Sequence, residues 1–227
     1  MKFALLTALA LLSSPAFACE SPTVSIEGAN ATEKQAACDA LAKMNDYFLS
    51  LGIAAQAPTI KFLFEQQVRL PSQIPEERIP VHGYFDTDDN SIHTTQFASE
   101  SQTARRPWGL PWTEKMAGSI LLHEVSHLYA ISHQGSSFRE LAHHWHEFLA
   151  YSIQIDLLDE ETKKELLANY PNATPFSDPG SVNSFFYESE PELYAVRAYL
   201  STHAWGGKKF IADLLKLNVK EARRSAF

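Results

Sequence analysis

The sequence predicts an α+β protein whose helices are concentrated in its C-terminal half. Three observations predict this class: an early segment has an apolar repeat of three to four residues, short β-rich runs follow it, and a helical pattern fills most of the chain from Thr113 onward. The 227 residues are 45% hydrophobic and 20% charged, which excludes a disordered or low-complexity protein. No internal repeat or linker divides the chain, so residues 19–227 are expected to form one domain.

The first eighteen residues are typical of a secretory signal peptide. Lys2 precedes an apolar run from Phe3 to Leu12, and Ala16-Phe17-Ala18 has the small-x-small pattern of a cleavage site. The run is too short for a membrane helix, and no later stretch reaches the roughly 18 apolar residues that a helix needs to cross a bilayer. We therefore expect an exported protein, periplasmic or secreted, with no membrane span.

The expected export bears on the oxidation state of the two cysteines, Cys19 and Cys38. In an oxidising compartment an even pair predicts a disulfide, here between the start of the mature chain and the first helix. The alternative is a lipid-modified Cys19. The preceding Ala16 and Phe17 match the pattern of bacterial lipoproteins poorly, so the disulfide is favoured.

The first helix is predicted after a polar stretch at residues 20–31. Its pattern opens at Thr32, and Gly52 supplies the stop signal. The apolar positions recur at helical spacing: Ala36, Ala37, Leu41, Met44, Phe48 and Leu51.

A small mixed or antiparallel sheet is predicted next. Residues 59–69 are rich in Ile, Phe, Leu and Val and favour a strand. Residues 81–85 and 91–95 are two short β-like runs around Asp86-Thr87-Asp88-Asp89-Asn90, which is a turn sequence. We expect these two runs to form a hairpin.

The rest of the chain is predicted to be mainly helical. Prolines and the Gly206-Gly207 pair separate the periodic segments. The predicted helices cover residues 113–132, 138–158, 159–169, 191–203 and 207–217.

Six of the nine histidines lie between His123 and His146, and His123-Glu124-Val125-Ser126-His127 forms an HExxH motif. The motif lies in the predicted helix 113–132. Positions four apart share one face of a helix, so the two imidazoles can bind one zinc ion. Glu124 is rotated by about 100° from them. It is therefore a candidate general base for a zinc-bound water that attacks a carbonyl group.

The motif resembles that of the zincin metallopeptidases, and the third ligand distinguishes their branches. His133 has the spacing of a metzincin ligand, but Ala130 stands where metzincins have a turn glycine, and no methionine follows the motif. Glu147, on the next predicted helix, resembles the ligand of gluzincins. The resemblance thus favours a zinc site of His123, His127 and Glu147. Residues 135–137 are expected to form the turn between the two helices, with Ser137 as the cap of the second helix. The alternatives that stay open are His133, His143, His144 and His146.

The flanking segments resemble small single-domain gluzincins of the minigluzincin type. Residues 83–86 and 91–93 resemble the hairpin before the metal helix, whose edge strand runs along the substrate cleft in that family. Residues 191–199 resemble the C-terminal helices. Tyr151 stands where some large gluzincins have an aspartate that supports a histidine ligand. Gluzincins also supply oxyanion-stabilising groups from C-terminal segments, and the candidates here are Tyr194, Arg197, Tyr199 and His203.

The resemblance implies an exported zinc-dependent metallohydrolase, a peptidase with Glu124 as base and a peptide or protein as substrate. One alternative is a non-catalytic envelope binding protein with a zincin fold that zinc stabilises, and another is an exported metal scavenger. An open coordination position would favour the enzyme. The net charge of −8 and the scattered basic pairs argue against a nucleic-acid partner.

Overall fold

The computed structural model describes residues 19, 21–54, 59–71, 80–98 and 106–224. The strands in these residues are β1 (Val24–Glu27), β2 (Ile60–Glu65), β3 (Val68–Arg69), β4 (Pro80–Val81), β5 (Gly83–Asp86) and β6 (Ser91–Thr95). The α-helices are α1 (Ala31–Ser50), α2 (Glu114–Gln134), α3 (His143–Asp156), α4 (Glu160–Asn169), α5 (Ser184–Ser189), α6 (Pro191–Ala204) and α7 (Lys208–Leu215). The predicted α+β class, with a small sheet before a helical half, is confirmed.

Four strands form a mixed sheet in the order β1-β2-β6-β5. The β1–β2 and β2–β6 pairs are parallel, and the β5–β6 pair is the predicted antiparallel hairpin. Asn90 has a φ of 56° in the turn, a conformation that Asn tolerates better than most residues. Strand β5 stands last in the strand order and is therefore an edge of the sheet. Strand β1 lies within the polar stretch 20–31 and was not predicted, because its four residues are only alternately half-buried.

Helix α1 packs against α2 and begins with a capping box. Asn30 accepts a hydrogen bond from the backbone N–H of Glu33, and the Glu33 carboxylate accepts from the N–H of Asn30. The same carboxylate accepts from the N–H of Phe97, which ties α1 to the segment after β6. The cap thus fixes both the start of α1 and its position relative to that segment.

The predicted disulfide is confirmed: Cys19 is bonded to Cys38 of α1, with a Cα–Cα distance of 5.4 Å. A thiol in a disulfide cannot carry a lipid, so the lipid-modified alternative for Cys19 is excluded. The predicted signal peptide, residues 1–18, lies outside the described residues. Over the part of the chain that is described, no helix combines the length and the apolar character needed to span a membrane.

Helices α2 and α3 pack against each other in the centre of the molecule. The Thr113 side chain caps α2 by accepting from the N–H of Met116, and α2 ends at Gly135, whose φ is 56°. Residues 135–140 then form a short 3₁₀ segment. The predicted start of the second helix at 138 was wrong: α3 begins at His143, and neither Ser137 nor any other side chain caps it.

Helix α5 was not predicted from the sequence. It has six residues, none of them fully buried, so it offers no apolar repeat to recognise. Its Asn183 cap accepts from the N–H of Phe186. The helix packs against α6, and this places Tyr187 beside α3.

Candidate metal centre

Three predicted ligands meet between α2 and α3. His123 and His127 lie one turn apart on α2, and Glu147 lies on the facing side of α3. Their donor atoms are close to one another: His123 Nε2 to His127 Nε2 is 3.2 Å, His123 Nε2 to Glu147 Oε2 is 3.4 Å, and His127 Nε2 to Glu147 Oε1 is 3.5 Å. Two helices that are separate in the sequence thus present their donor atoms to one point.

The spacing of these donor atoms fits a tetrahedral ion. Ligands at the zinc distance of about 2.0–2.1 Å are separated along a tetrahedron edge by about 3.3–3.4 Å. The three measured distances lie between 3.2 and 3.5 Å, so one ion can contact all three donors. No further His, Cys, Asp or Glu of the described residues joins this group. The protein therefore offers three ligands and leaves a fourth tetrahedral position open.

A buried hydrogen-bond chain orients His123. The Oε1 atom of Gln154 lies 3.1 Å from His123 Nδ1, while Gln154 Nε2 donates to the Ser119 hydroxyl at 3.1 Å. That hydroxyl donates in turn to the carbonyl of Met116 at 2.7 Å, so it accepts from the amide, and the amide orientation is fixed. Nδ1 of His123 must then carry the proton. The Nε2 lone pair is left to face the other two ligands, as metal-binding histidines require.

The charges of the three ligands depend on one another in the buried site. Burial by itself raises the pKa of Glu147, but His127 and His123 lower it to about 2, so the carboxylate is ionised. Burial, together with His123, lowers the pKa of His127 to about 3, which leaves its imidazole neutral. Burial lowers the pKa of His123 as well, but Glu147 and Glu124 more than offset this and raise it. A metal ion bound here competes with the additional proton that His123 would otherwise bind.

Glu124 lies next to the ligands without joining them. Glu124 is 6% exposed. Burial raises the pKa of its carboxyl group to about 7, although the neighbouring His123 acts to lower that pKa. Strand β5 passes directly over it: the Phe85 backbone N–H donates to the Glu124 carboxylate, and a Cβ added to Gly83 would lie 3.5 Å from Glu124 Cγ. A carboxyl group with a pKa near neutrality can both accept and return a proton.

The site opens into a cleft of about 1300 Å³. One wall is the edge strand β5, and α2 and α3 form the floor. At one end stands Trp108, whose backbone has a φ of 53° and is held on both sides. Its N–H donates to Glu192 Oε1 at 3.0 Å, and its carbonyl accepts from Asn169 Nδ2 at 2.9 Å.

Two tyrosines at the site were missed by the sequence analysis. Tyr151 occupies the position at which some large gluzincins have an aspartate. Its ring packs against that of His123, with 4.5 Å between centroids, and against that of Trp108 at 6.4 Å. Tyr187 lines the cleft from α5, beside Glu147. Burial and Glu147 raise the pKa of Tyr187, so its hydroxyl stays a donor at neutral pH. Neither tyrosine has a local signal, because both reach the site through helix packing.

The alternative third ligands lie away from the group. His133 is exposed on the last turn of α2 and does not line the cleft, because the buried Ala130 continues the helix. His144 packs beside α6, where its carbonyl accepts from the Tyr194 hydroxyl. His146 is buried against Phe138, and His143 is exposed one turn before Glu147; both line the cleft outside the ligand set.

The four residues considered for oxyanion stabilisation make other contacts and do not line the cleft. The Tyr194 hydroxyl donates to the carbonyl of His144. Arg197 donates to the carbonyls of Thr174 and Pro175 and lies over the Phe176 ring. Tyr199 and His203 contact each other, and His203 Nε2 lies 3.7 Å from Asp156 Oδ1. Tyr187, by contrast, lines the cleft next to the ligands and can donate a hydrogen bond into it.

The comparisons with known proteins identify one family, and its function is not known. The model of a family described as "Family of unknown function (DUF6639)" matches residues 24–222. No curated protein matches the chain, and no solved structure matches it.

Proposed function

The chain belongs to this family of unknown function, and from its site we propose that it is an exported zinc-dependent metallohydrolase that cleaves peptide bonds. The observation that carries the proposal is the division of roles among four buried side chains. His123, His127 and Glu147 converge on one point, while Glu124 lies beside them, outside the ligand set and with a pKa near neutrality.

Zinc is proposed as the ion because of the donor set. Two imidazoles and one carboxylate at tetrahedral spacing form the His₂Glu set of catalytic zinc sites. When bound there, zinc acidifies a water molecule and polarises the carbonyl group of the substrate. The open fourth position separates this proposal from a purely structural zinc site, in which the protein fills all four positions.

The chain's own residues supply the rest of the chemistry. The Glu124 carboxylate accepts the proton of the attacking water and passes it to the leaving amine, which suits a group with a pKa near 7. Gln154 holds the imidazole of His123 in the orientation that presents Nε2. The hydroxyl of Tyr187 is the donor available to the negative charge that develops on the carbonyl oxygen.

A peptide is the proposed substrate because the cleft has an edge strand along its wall. Strand β5 is paired with β6 on one side, and its other side faces the cleft. An extended peptide can add to such an edge through backbone hydrogen bonds. The Cys19–Cys38 disulfide supports export, because disulfides persist in oxidising compartments.

The test is a metal-removal experiment on the purified mature protein. The protein as isolated should contain one zinc ion and should cleave members of a broad peptide library, with products identified by mass spectrometry. Dialysis against a chelator should abolish cleavage, and one equivalent of zinc should restore it. A protein that binds one zinc and cleaves no peptide in the library would contradict the proposal and favour the non-catalytic binding protein.

A further inference from the structure

One end of the cleft carries positive charge. Beyond the C-terminus of α2, Arg139 and Arg224 line the cleft, next to the His146 ring of α3, whose pKa burial lowers to about 4. We call the two arginines the basic end. They are contiguous, because the Arg224 backbone N–H donates to the carbonyl of Glu140, and the rings of His146 and Phe138 are 3.7 Å apart.

The two arginines have no acidic partner among the described residues. The Arg224 Nε donates to the Leu141 carbonyl at 3.2 Å, which leaves its terminal nitrogens for another acceptor. Arg139 is exposed, and its side chain forms no ion pair or hydrogen bond with the part of the chain that is described. The four carboxylates that line the cleft lie elsewhere: Asp88, Glu124, Glu147 and Glu192.

The start of α3 adds to this positive end. Its cap position is Ala142, no side chain caps its first N–H groups, and no acidic residue lies in its first turn. The positive end of the helix dipole is therefore left uncompensated beside the two arginines. In addition, the Nδ1 atom of His146, a residue that is 5% exposed, has no hydrogen-bond partner among the described residues. These features together favour an anionic ligand in a protein whose net charge is −8.

The distance from the metal centre indicates where on a substrate that anion would lie. Helix α2 continues for eight residues from His127 to its end at Gly135, which corresponds to about 12 Å along its axis. An extended chain advances about 3.3 Å per residue. A peptide that lies across the ligands therefore reaches the basic end about three to four residues from the bond at the metal centre.

We propose that the basic end binds a substrate carboxylate, so that the protein prefers peptides with a negative charge about three to four residues to one side of the cleaved bond. The inference rests on the proposed peptidase function and adds the substrate class. The guanidinium groups of Arg139 and Arg224 bind the carboxylate in paired, charge-assisted hydrogen bonds. The carboxylate comes from an acidic side chain or from the C-terminus of a short peptide.

The first experiment compares matched peptides. One cleavable sequence carries Glu or Gln at each position in turn, and each peptide is made with a free or an amidated C-terminus. For the wild type we expect kcat/KM to be about tenfold higher for Glu than for Gln at one position on one side of the bond. A gain from the free C-terminus alone, in peptides that end at that position, would identify the terminal carboxylate as the source. Equal rates across both series would overturn the inference.

Variants assign the preference to the basic end. In Arg139→Gln/Arg224→Gln the ratio of kcat/KM between the Glu and Gln peptides should fall to about one. Arg139→Lys/Arg224→Lys should keep part of it, because lysine retains the charge and loses the paired geometry. Lys164→Gln is the matched control, since Lys164 is exposed on α4 away from the cleft. A preference that survives the double glutamine variant would overturn the assignment.

A binding measurement separates this inference from the peptidase proposal. Zinc-loaded Glu124→Gln, titrated with a fluorescent peptide in its Glu and Gln forms, should bind the Glu form about tenfold more tightly, and added salt should reduce the difference. Selective binding without any cleavage by the wild type would uphold the basic end and reject the peptidase. Cleavage without selectivity in either assay would reject the basic end and uphold the peptidase.

Discussion

The metal centre and the basic end lie in the same cleft and differ in how completely the protein satisfies them. At the metal centre three of the four groups have a neighbour outside the ligand set: Gln154 orients His123, Tyr187 contacts Glu147, and Phe85 contacts Glu124. At the basic end, Arg139 is exposed and has no acidic partner among the described residues. The difference indicates two functions. Chemistry requires groups that are held before the substrate arrives, whereas recognition leaves charges for the substrate to neutralise.

The comparison predicts that substitutions at the metal centre change zinc binding or turnover, and that substitutions at the basic end change only substrate choice. The largest effect is expected for Glu147→Ala, because it removes one of three ligands from a buried site. Its zinc affinity should fall by more than about a hundredfold, beyond the loss caused by groups that only orient a ligand. His133→Ala should keep its zinc. Metal analysis of the two purified variants decides, and the reverse pattern would assign the third ligand to His133.

Glu124→Gln tests whether the metal centre is catalytic. Glutamine keeps the shape and the hydrogen bonds of the side chain but cannot accept the proton of the attacking water. Turnover should fall at least about a hundredfold, with zinc content and thermal stability unchanged. Glu114→Gln is the matched control, because Glu114 is exposed at the start of the same helix. Equal turnover of Glu124→Gln and the wild type would indicate a structural site.

The disulfide lies outside both regions and should affect stability without affecting either. Removing Cys38 by Cys38→Ser opens a loop of nineteen residues and should lower the free energy of unfolding by about 3 kcal/mol. Urea denaturation measures the loss, and reduction of the wild type should reproduce it. Zinc affinity at a denaturant concentration where both proteins are folded should be the same. A variant as stable as the oxidised wild type would refute the stabilising role.

The smallest loss of zinc affinity is expected for substitutions of Gln154, because this residue acts on the metal only through His123. Gln154→Leu removes the acceptor for His123 Nδ1 and should weaken zinc binding about ten- to a hundredfold, as measured by competition with a chelator. Gln154→Glu keeps an acceptor for that proton and should retain most of the affinity. If both variants lose zinc equally, the residue is required for packing rather than for orientation.

The features that depend on short-range periodicity could be predicted from the order of the residues. HExxH on an amphipathic helix places His123 and His127 on one face, and the hairpin around Asn90 follows from its turn residues. Glu147, twenty residues further on, was predicted from a resemblance, and the structure brings it to the two histidines. The disulfide followed from the count of two cysteines and the expectation of export.

The residues that surround these groups could not be predicted in this way, because they come from distant parts of the chain. Gln154 contacts His123 across 31 positions, Phe85 of strand β5 contacts Glu124 of helix α2, and Tyr187 lies on a helix too short to show a repeat. The oxyanion candidates Tyr194 and Arg197 were predicted near the site, but on α6 they bind the carbonyls of His144 and Thr174 and do not line the cleft. The physical reason is that a helix or hairpin is specified by neighbours a few residues apart. The partners of a side chain across the core depend instead on how whole elements pack, and no local pattern in the sequence records that.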